Sequence, residues 1–509
     1  MKHDFLNEPL LTFLDETGNK QRRSLPGLMV ALQAEDVFSF PHLRPHQTHP
    51  LHAFLVQLAA MILSENNEPT FPTEETVWRR WLLAMSKGEP AAWCLCVDEL
   101  SKPAFFQTPI PEENLKRYKK SFSYPDELDL LVTSKNHDVK RMLIRDPRPE
   151  HVFFALMTMQ TFGGYEGPGI QQVMRMNGGY GSRPCVALAP SSGGWGARWK
   201  RDVRVLLDAR TDLIDEYGYQ DAGGHRLLWL LPWEGEDALA LQECDPYVIE
   251  IARRVRVTEQ EGALRMHRAS TKATRLDAKA LNGVTGDPWT PISNKDAKAL
   301  SVSENGFTYA KIDEILFNSD WRLGVAGRPR DDDPDDSEFV LQCLARGQGG
   351  TGGYHERRIP ARRAIQDMFA SPAERERLAE LSQFQIAVAD AARRKVLHPA
   401  LCVLMQAGPP KLNLKDRRDQ SALNELEAAI DADFFPYLWS GALNEDEGAA
   451  QRAWIKQVRQ HVRAVFERAL NAVPIPAARQ PRAIAKAELM FFACRKKHLP
   501  LQHVEEVSL

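Results

Sequence analysis

From Ser371 onward the chain is written for helices. Ser371-Pro372-Ala373-Glu374 supplies a capping serine, a proline at the first helical position and a glutamate three residues past the cap. A long helix is therefore expected over AERERLAELSQFQIAVADAARRKVL. Between Gln451 and Ala472, Trp454, Val458, Val462, Val465, Phe466 and Ala469 recur at spacings of three and four, which makes one apolar stripe. A further helix fits Ala422 to Ala432, and another runs from about Pro481 to Lys497. A helix with one apolar stripe must bury it against others like itself. Four of them, joined by short connections rich in proline or aspartate, predict an up-down bundle over residues 363–509.

The 362 residues before that bundle read differently. The whole chain has 509 residues, more than one hydrophobic core usually organises (about 250–300), so at least two units are expected. Leu51 to Leu63 and Thr76 to Met85 read as helices. Glu99 to Phe106, Cys185 to Ala189, Val203 to Leu207 and the apolar run His225 to Pro232 read as strands. Arg328 to Asp336 (RPRDDDPDD) is too charged and proline-broken for regular structure. Gly347 to Pro360 (GQGGTGGYHERRIP) predicts a mobile or tightly looped element. The fold class is α+β: a large mixed α/β domain over residues 1–362, then the four-helix bundle.

Between Phe162 and Arg204 lie three glycine clusters, TFGGYEGPG, RMNGGYGSRP and SSGGWGARWKR. Glycine permits positive φ and close backbone approach because it has no Cβ. Tyr165, Tyr180 and Trp195 add flat faces, and Arg175, Arg183, Arg198, Lys200 and Arg201 add cations. Together they suit a surface that touches an extended polyanion. Net charge is only −3, so such contact must come from local patches or be shared with basic partner subunits.

Other chemistries find little support. Seven scattered cysteines without a CxxC pair suit a reduced cytoplasmic chain. MKHDFLNEPLL lacks a signal-peptide core, and Leu51 to Leu63 is too short to span a bilayer. His42, His46, His49 and His52 cluster, but prolines at 41, 45 and 50 argue against the single helix that would align them on a metal. Asp331 to Asp336 lacks calcium-loop spacing. GxxxxGK and GxSxG are absent, and the glycines do not form GxGxxG ahead of a helix. No catalytic residue, metal or cofactor is expected.

LDLLVTSKNHDVK (Leu128 to Lys140), TFGGYEG with the following glycine clusters, LNGVTGDPWTP (Leu281 to Pro291), GQGGTGGYHERR and the helical C-terminus occur in an order that resembles one family. It is the CasA family, large subunits of the type I-E CRISPR Cascade surveillance complex. The resemblance implies a non-catalytic subunit that reads a short protospacer-adjacent motif in double-stranded target DNA and helps open it. Guide crRNA reads the rest of the target by base pairing. It also implies contacts with other Cascade subunits and with a helicase-nuclease in antiviral defence. Gly163 and Gly164 match the loop that enters the minor groove, a channel about 6 Å wide that admits backbone more readily than side chains. Lys272 and Arg275, with Lys279 and Arg268 as alternatives, match a groove-reaching cation. Gln348 matches a wedge beneath the last base pair. Leu131, Val132, Lys135, Asn136 and His137 match the contact with the guide's handle and neighbouring subunits. Arg198, Lys200, Arg201, Arg346, Arg357 and Arg358 are candidates for the DNA backbone. The rival expectations are a metal-dependent nuclease using the acidic loop and a purely structural scaffold.

Overall fold

The structure, a computed structural model, describes residues 1–131, 147–178, 183–347 and 350–501. Contacts divide the chain into two units: residues 1–307 with 319–363, and residues 308–318 with 364–509. The short segment Thr308–Asn318 thus leaves the first unit to join the helical one. Helices are α1 (Leu25–Gln33), α2 (Thr48–Glu65), α3 (Glu75–Met85), α4 (Pro149–Phe162), α5 (Gly194–Tyr217), α6 (Tyr309–Leu316), α7 (Pro372–Asp390), α8 (Gln420–Ala442), α9 (Glu447–Ala472) and α10 (Gln480–His498). The strands that matter here are β1 (Lys120–Phe122), β2 (Cys185–Pro190), β3 (Arg254–Gln260), β4 (Ala263–Ala269), β5 (Asp336–Gly347) and β6 (Gly350–Arg362).

The first unit is built around α2, which is buried on every face from His49 to Leu63, as an apolar helix without a polar stripe must be. Two three-stranded antiparallel sheets serve the surface, ordered β1-β4-β3 and β6-β5-β2. Several expectations change here. Val203 to Leu207 lies inside α5, because a five-residue apolar run fits a strand and a buried helix turn alike. Glu99 to Phe106 holds only a single bridge, at Ala104. In His225 to Pro232 the strand stops at Leu227 and a 3₁₀ turn takes over. The glycine-rich segment after Gly347 is a long hairpin arm, not a loop. Gly352 serves close approach, since a Cβ there would lie 2.9 Å from the Glu304 Cα, whereas Gly353 serves a backbone turn at φ +93°.

In the helical unit, Ser371 caps α7 as its sequence requires, accepting from the Glu374 amide. α7 then runs on through a π-helical stretch, Ala391–Leu397, into the helix His398–Met405. α8 continues through Pro436 well beyond Ala432. The α9 stripe at Trp454, Val458, Val462, Val465, Phe466 and Ala469 is buried throughout. Tyr309 of α6 stacks on Phe434 of α8 with ring centroids 4.6 Å apart. The chain is α+β with a C-terminal helical bundle.

Candidate nucleic-acid interface

α4 ends at Phe162, and Gly163 caps it with its amide on the Met159 carbonyl. A Cβ on Gly163 would stand 2.5 Å from that carbonyl, so nothing larger fits. The chain then makes a tight loop. The Val173 amide returns to the Gly163 carbonyl at 3.1 Å, and inside it Glu166 and Ile170 are bridged, with Gly167 at φ +134° and Gly169 at +78°. Arg253, buried beneath, clips the loop shut. Its guanidinium donates to the Gly164 carbonyl at 2.6 Å and also to the Gln171 carbonyl. Gly163 and Gly164 are therefore buried at the root, and the solvent-facing tip is Glu166–Pro168.

Beside this loop a cleft of about 500 Å³ opens. Pro168, Gly169 and Ile170 line it, together with six cations: Arg117, Lys119, Lys120, Arg254, Arg268 and Lys272. Glu234 and Glu236 are its acidic members. Main-chain bonds join the parts, from the Thr271 amide to the Gly169 carbonyl at 3.0 Å and from the Lys272 amide to the Gly235 carbonyl at 2.6 Å. Antiparallel register sets Lys120 of β1 directly opposite Arg268 of β4. Like charges so placed are destabilising. Arg268 lies over the Phe122 ring at 5.3 Å and 4.0 Å from Glu166, while Lys120 stays exposed. A concave wall with this excess of cations suits phosphate oxygens.

Lys272 is the expected residue that the structure brings into this cleft, its side chain 79% exposed and paired with Glu236 at 2.7 Å. Arg268 lines it as well, whereas Lys279 is exposed elsewhere on a short 3₁₀ turn. Arg275 is a correction. It is buried over Trp233, donates to the Pro232 carbonyl, and burial lowers its pKa to about 10.

Other arginines are internal for the same reason, since a buried guanidinium must be paired. Arg201 forks onto Asp333 (2.6 and 3.1 Å) and spends its remaining donors on Asp202 and two carbonyls. Arg198 is buried beside the Cys185 thiol, and Lys200 pairs with Glu35. Arg175 binds Glu250 at 2.7 Å and Arg183 binds Asp287 at 2.6 Å, so the second glycine cluster contributes cations to the core. In the third cluster a Cβ on Gly196 would meet the Leu32 carbonyl at 2.4 Å, so these glycines let α5 press against α1. One paired cation keeps a place near the loop. Arg346, at the far end of β5, reaches Glu166 at 3.1 Å, which brings the hairpin end to the glycine loop. Burial opposes ionisation of Glu166, but Arg253, Arg346 and Arg268 outweigh it and hold its pKa below the usual value. Arg357 donates to the Phe307 carbonyl, and Arg358 pairs with Glu338 and Glu356.

Gln348 lies outside the described residues, as do Val132, Lys135, Asn136 and His137. Leu131 is half-buried, close in sequence to Asp129, which accepts from His46 and Gln47 at 2.7 and 2.6 Å. The clustered histidines diverge instead of converging: His42 faces Glu150, His46 faces Asp129, and His52 faces Asp202. The cleft cations that the sequence reading missed are Arg117, Lys119, Lys120 and Arg254, the last carrying no local signal on its strand. The signal of the first three was the run KRYKK at 116–120, basic residues around one tyrosine ahead of a strand.

No family model matches the sequence, and no curated protein matches it. Solved structures do resemble the chain. CRISPR-associated protein Cse1 from Acidimicrobium ferrooxidans superposes with a TM-score of 0.60 at 14% identity over 98% of both chains. Thermobifida fusca Cse1 gives 0.66 at 13%, again over 98% of both. CasA (Cse1) from Thermus thermophilus gives 0.61 at 13%, over 97% of this chain and 99% of that one. A likeness this even along the length, at such low identity, fixes architecture: the chain has the fold of the Cse1/CasA proteins.

Proposed function

We propose that the chain is a non-catalytic DNA-reading subunit of an RNA-guided complex, a CasA-type large subunit of type I-E Cascade. The observation that carries this reading is the six-cation cleft beside a clipped glycine loop, on a chain with the Cse1/CasA fold. In this reading phosphates of the target duplex lie along Lys119, Lys120 and Arg268 and supply affinity without sequence preference. The Gly167–Pro168 tip, held up by the Gly163–Gly164 root, meets the minor groove with Lys272 beside it and reads the short motif. Gln348, which follows β5 in the sequence, enters the opened duplex. The segment of Leu131, Val132, Lys135, Asn136 and His137 faces the handle of the guide crRNA and adjoining subunits, and the assembled complex recruits the helicase-nuclease.

The nuclease alternative is not favoured by the acidic loop. Asp332, Asp333, Asp335 and Asp336 each face an arginine: Arg330, Arg201, Arg363 and Arg362. Carboxylates already neutralised in this way make a poor divalent-ion cradle.

The test is duplex binding by the reconstituted complex across a salt series. Lys120→Ala should weaken binding to all duplexes alike and lower the salt slope by about one. Lys272→Ala should instead erode discrimination between motif and non-motif duplexes by about 1–3 kcal/mol. Guide-RNA assembly should be unchanged in both. Wild-type affinity and discrimination in both variants would remove the cleft from DNA recognition.

A further inference from the structure

His398, Cys402 and Asp419 lie in the helical unit, remote in sequence from the histidine cluster, and their ligand atoms fall within 4.8 Å of one another. The spacing His-x-x-x-Cys puts the first two on one face of the helix His398–Met405, one turn apart. Asp419 comes from the residue before α8.

Three features of this group need a reason. Asp419 occupies the N-cap position of α8, where an aspartate normally accepts from the helix's first amides and stabilises it by about 1 kcal/mol. It makes no such bond. Its carboxylate turns inward, 3% exposed, with Oδ2 at 2.5 Å from His398 Nδ1 and with Oδ1 buried and unpartnered. The second feature is the histidine's other nitrogen. Nε2 lies 2.9 Å from the Leu414 carbonyl, which can only accept, so Nε2 carries the proton there. Nδ1 of a neutral ring would then present a lone pair to a carboxylate oxygen. A cation must lie between them, either a proton or a metal ion. The third feature is Cys402, buried with Sγ 3.7 Å from that same Nδ1.

We propose that His398 Nδ1, Cys402 Sγ and an Asp419 oxygen form a binding site for zinc or a similar borderline divalent ion, with the fourth position open to solvent. The donor set of imidazole, thiolate and carboxylate is zinc's own, and bond lengths of about 2.0–2.3 Å imply ligand separations near 3.5 Å. Sγ lies 3.7 Å from Nδ1 and 3.8 Å from Nε2, beside the ring, so the Cys402 side chain turns toward Nδ1 to reach the ion, while the oxygen–nitrogen pair opens by under about 1 Å when the ion replaces the proton. The Leu414 carbonyl is the outer partner that fixes ring tautomer in metal-bound histidines. The Asp419 side chain is fully buried and that of His398 is 12% exposed, so an ion enters past the histidine. A π-helical stretch ends at Leu397, immediately before the histidine, and such stretches recur at functional sites. Without an ion the thiol stays protonated, since burial and then Asp419 push its pKa to about 11. Metal entry releases that proton, so affinity rises with pH.

The experiment uses the full-length chain, stripped with chelator and titrated with zinc and, separately, with cobalt(II). One equivalent should bind, and the cobalt form should show a thiolate charge-transfer band in the near ultraviolet. Cys402→Ser should abolish that band and weaken zinc at least tenfold, and Asp419→Asn should weaken zinc tenfold or more. Absence of stoichiometric binding, or a cobalt spectrum without sulfur ligation, overturns the proposal on the wild-type protein alone, whether or not the variants fold. A Cys402→Ser chain that folds and holds zinc as wild type overturns it equally.

Discussion

Arg253 shows how one side chain can shape a loop. It is buried, its pKa is lowered to about 10 by burial against the pull of Glu166, and two of its nitrogens hold carbonyls at either end of the glycine turn. Lysine at this position keeps a charge but loses the fork that reaches both ends. Arg253→Lys should therefore cost about 1–3 kcal/mol in urea unfolding and weaken duplex binding by the assembled complex. Unchanged stability would mean that the loop holds itself. At this scale the sequence was a poor guide to roles. Arg175, Arg183, Arg198 and Arg201 stand among glycines and aromatics as an exposed patch would, yet each is buried. Glu250 for Arg175, Asp287 for Arg183 and Asp333 for Arg201 lie 75, 104 and 132 residues away, beyond the reach of any local pattern. Lys272 was reached through the family resemblance, since nothing in its local pattern separates it from Arg275.

Elements were legible where one period governs ten or more residues. The apolar stripe of α9 and the amphipathic α3 follow from spacing, whereas the cap of α7 follows from its residue types and α2 from a long apolar run. Short runs failed, as in the α5 segment read as a strand and the β6 arm read as a loop. Gly352 in that arm and Gly196 in α5 serve packing, which a sequence does not distinguish from flexibility. Gly196 makes the distinction measurable. Alanine is favoured over glycine in a helix by about 1 kcal/mol, yet here the added Cβ meets the Leu32 carbonyl at 2.4 Å. Separating α1 from α5 costs more than propensity returns, about 1–3 kcal/mol. Gly196→Ala should lower Tm by calorimetry, whereas a raised Tm would show that the helices can slide apart freely.

At the scale of the molecule, buried histidines set the acid limit. His49 sits among Phe162 and Trp289 with neither ring nitrogen bonded, and burial, then Arg183 and Arg198, drives its pKa well below the usual value. Burial and then Arg198 lower His52 to about 4 against the pull of Asp202. The unfolded chain protonates these rings near pH 6.5 and the folded chain does not, so their contribution is complete above that pH. It shrinks as pH falls toward 4, at up to about 1.4 kcal/mol per pH unit for each ring. Asp202, whose pKa is lowered to about 2, adds a loss only at lower pH, as folded and unfolded carboxyls titrate between about 3.8 and 2. Calorimetry should find Tm dropping between about pH 6.5 and 4.5, and a flat profile there would contradict this assignment. The clip on the glycine turn has a last consequence. A surface already rigid before contact surrenders little conformational freedom when a partner arrives, so its encounter is governed by fit and charge, with no wait for a segment to fold.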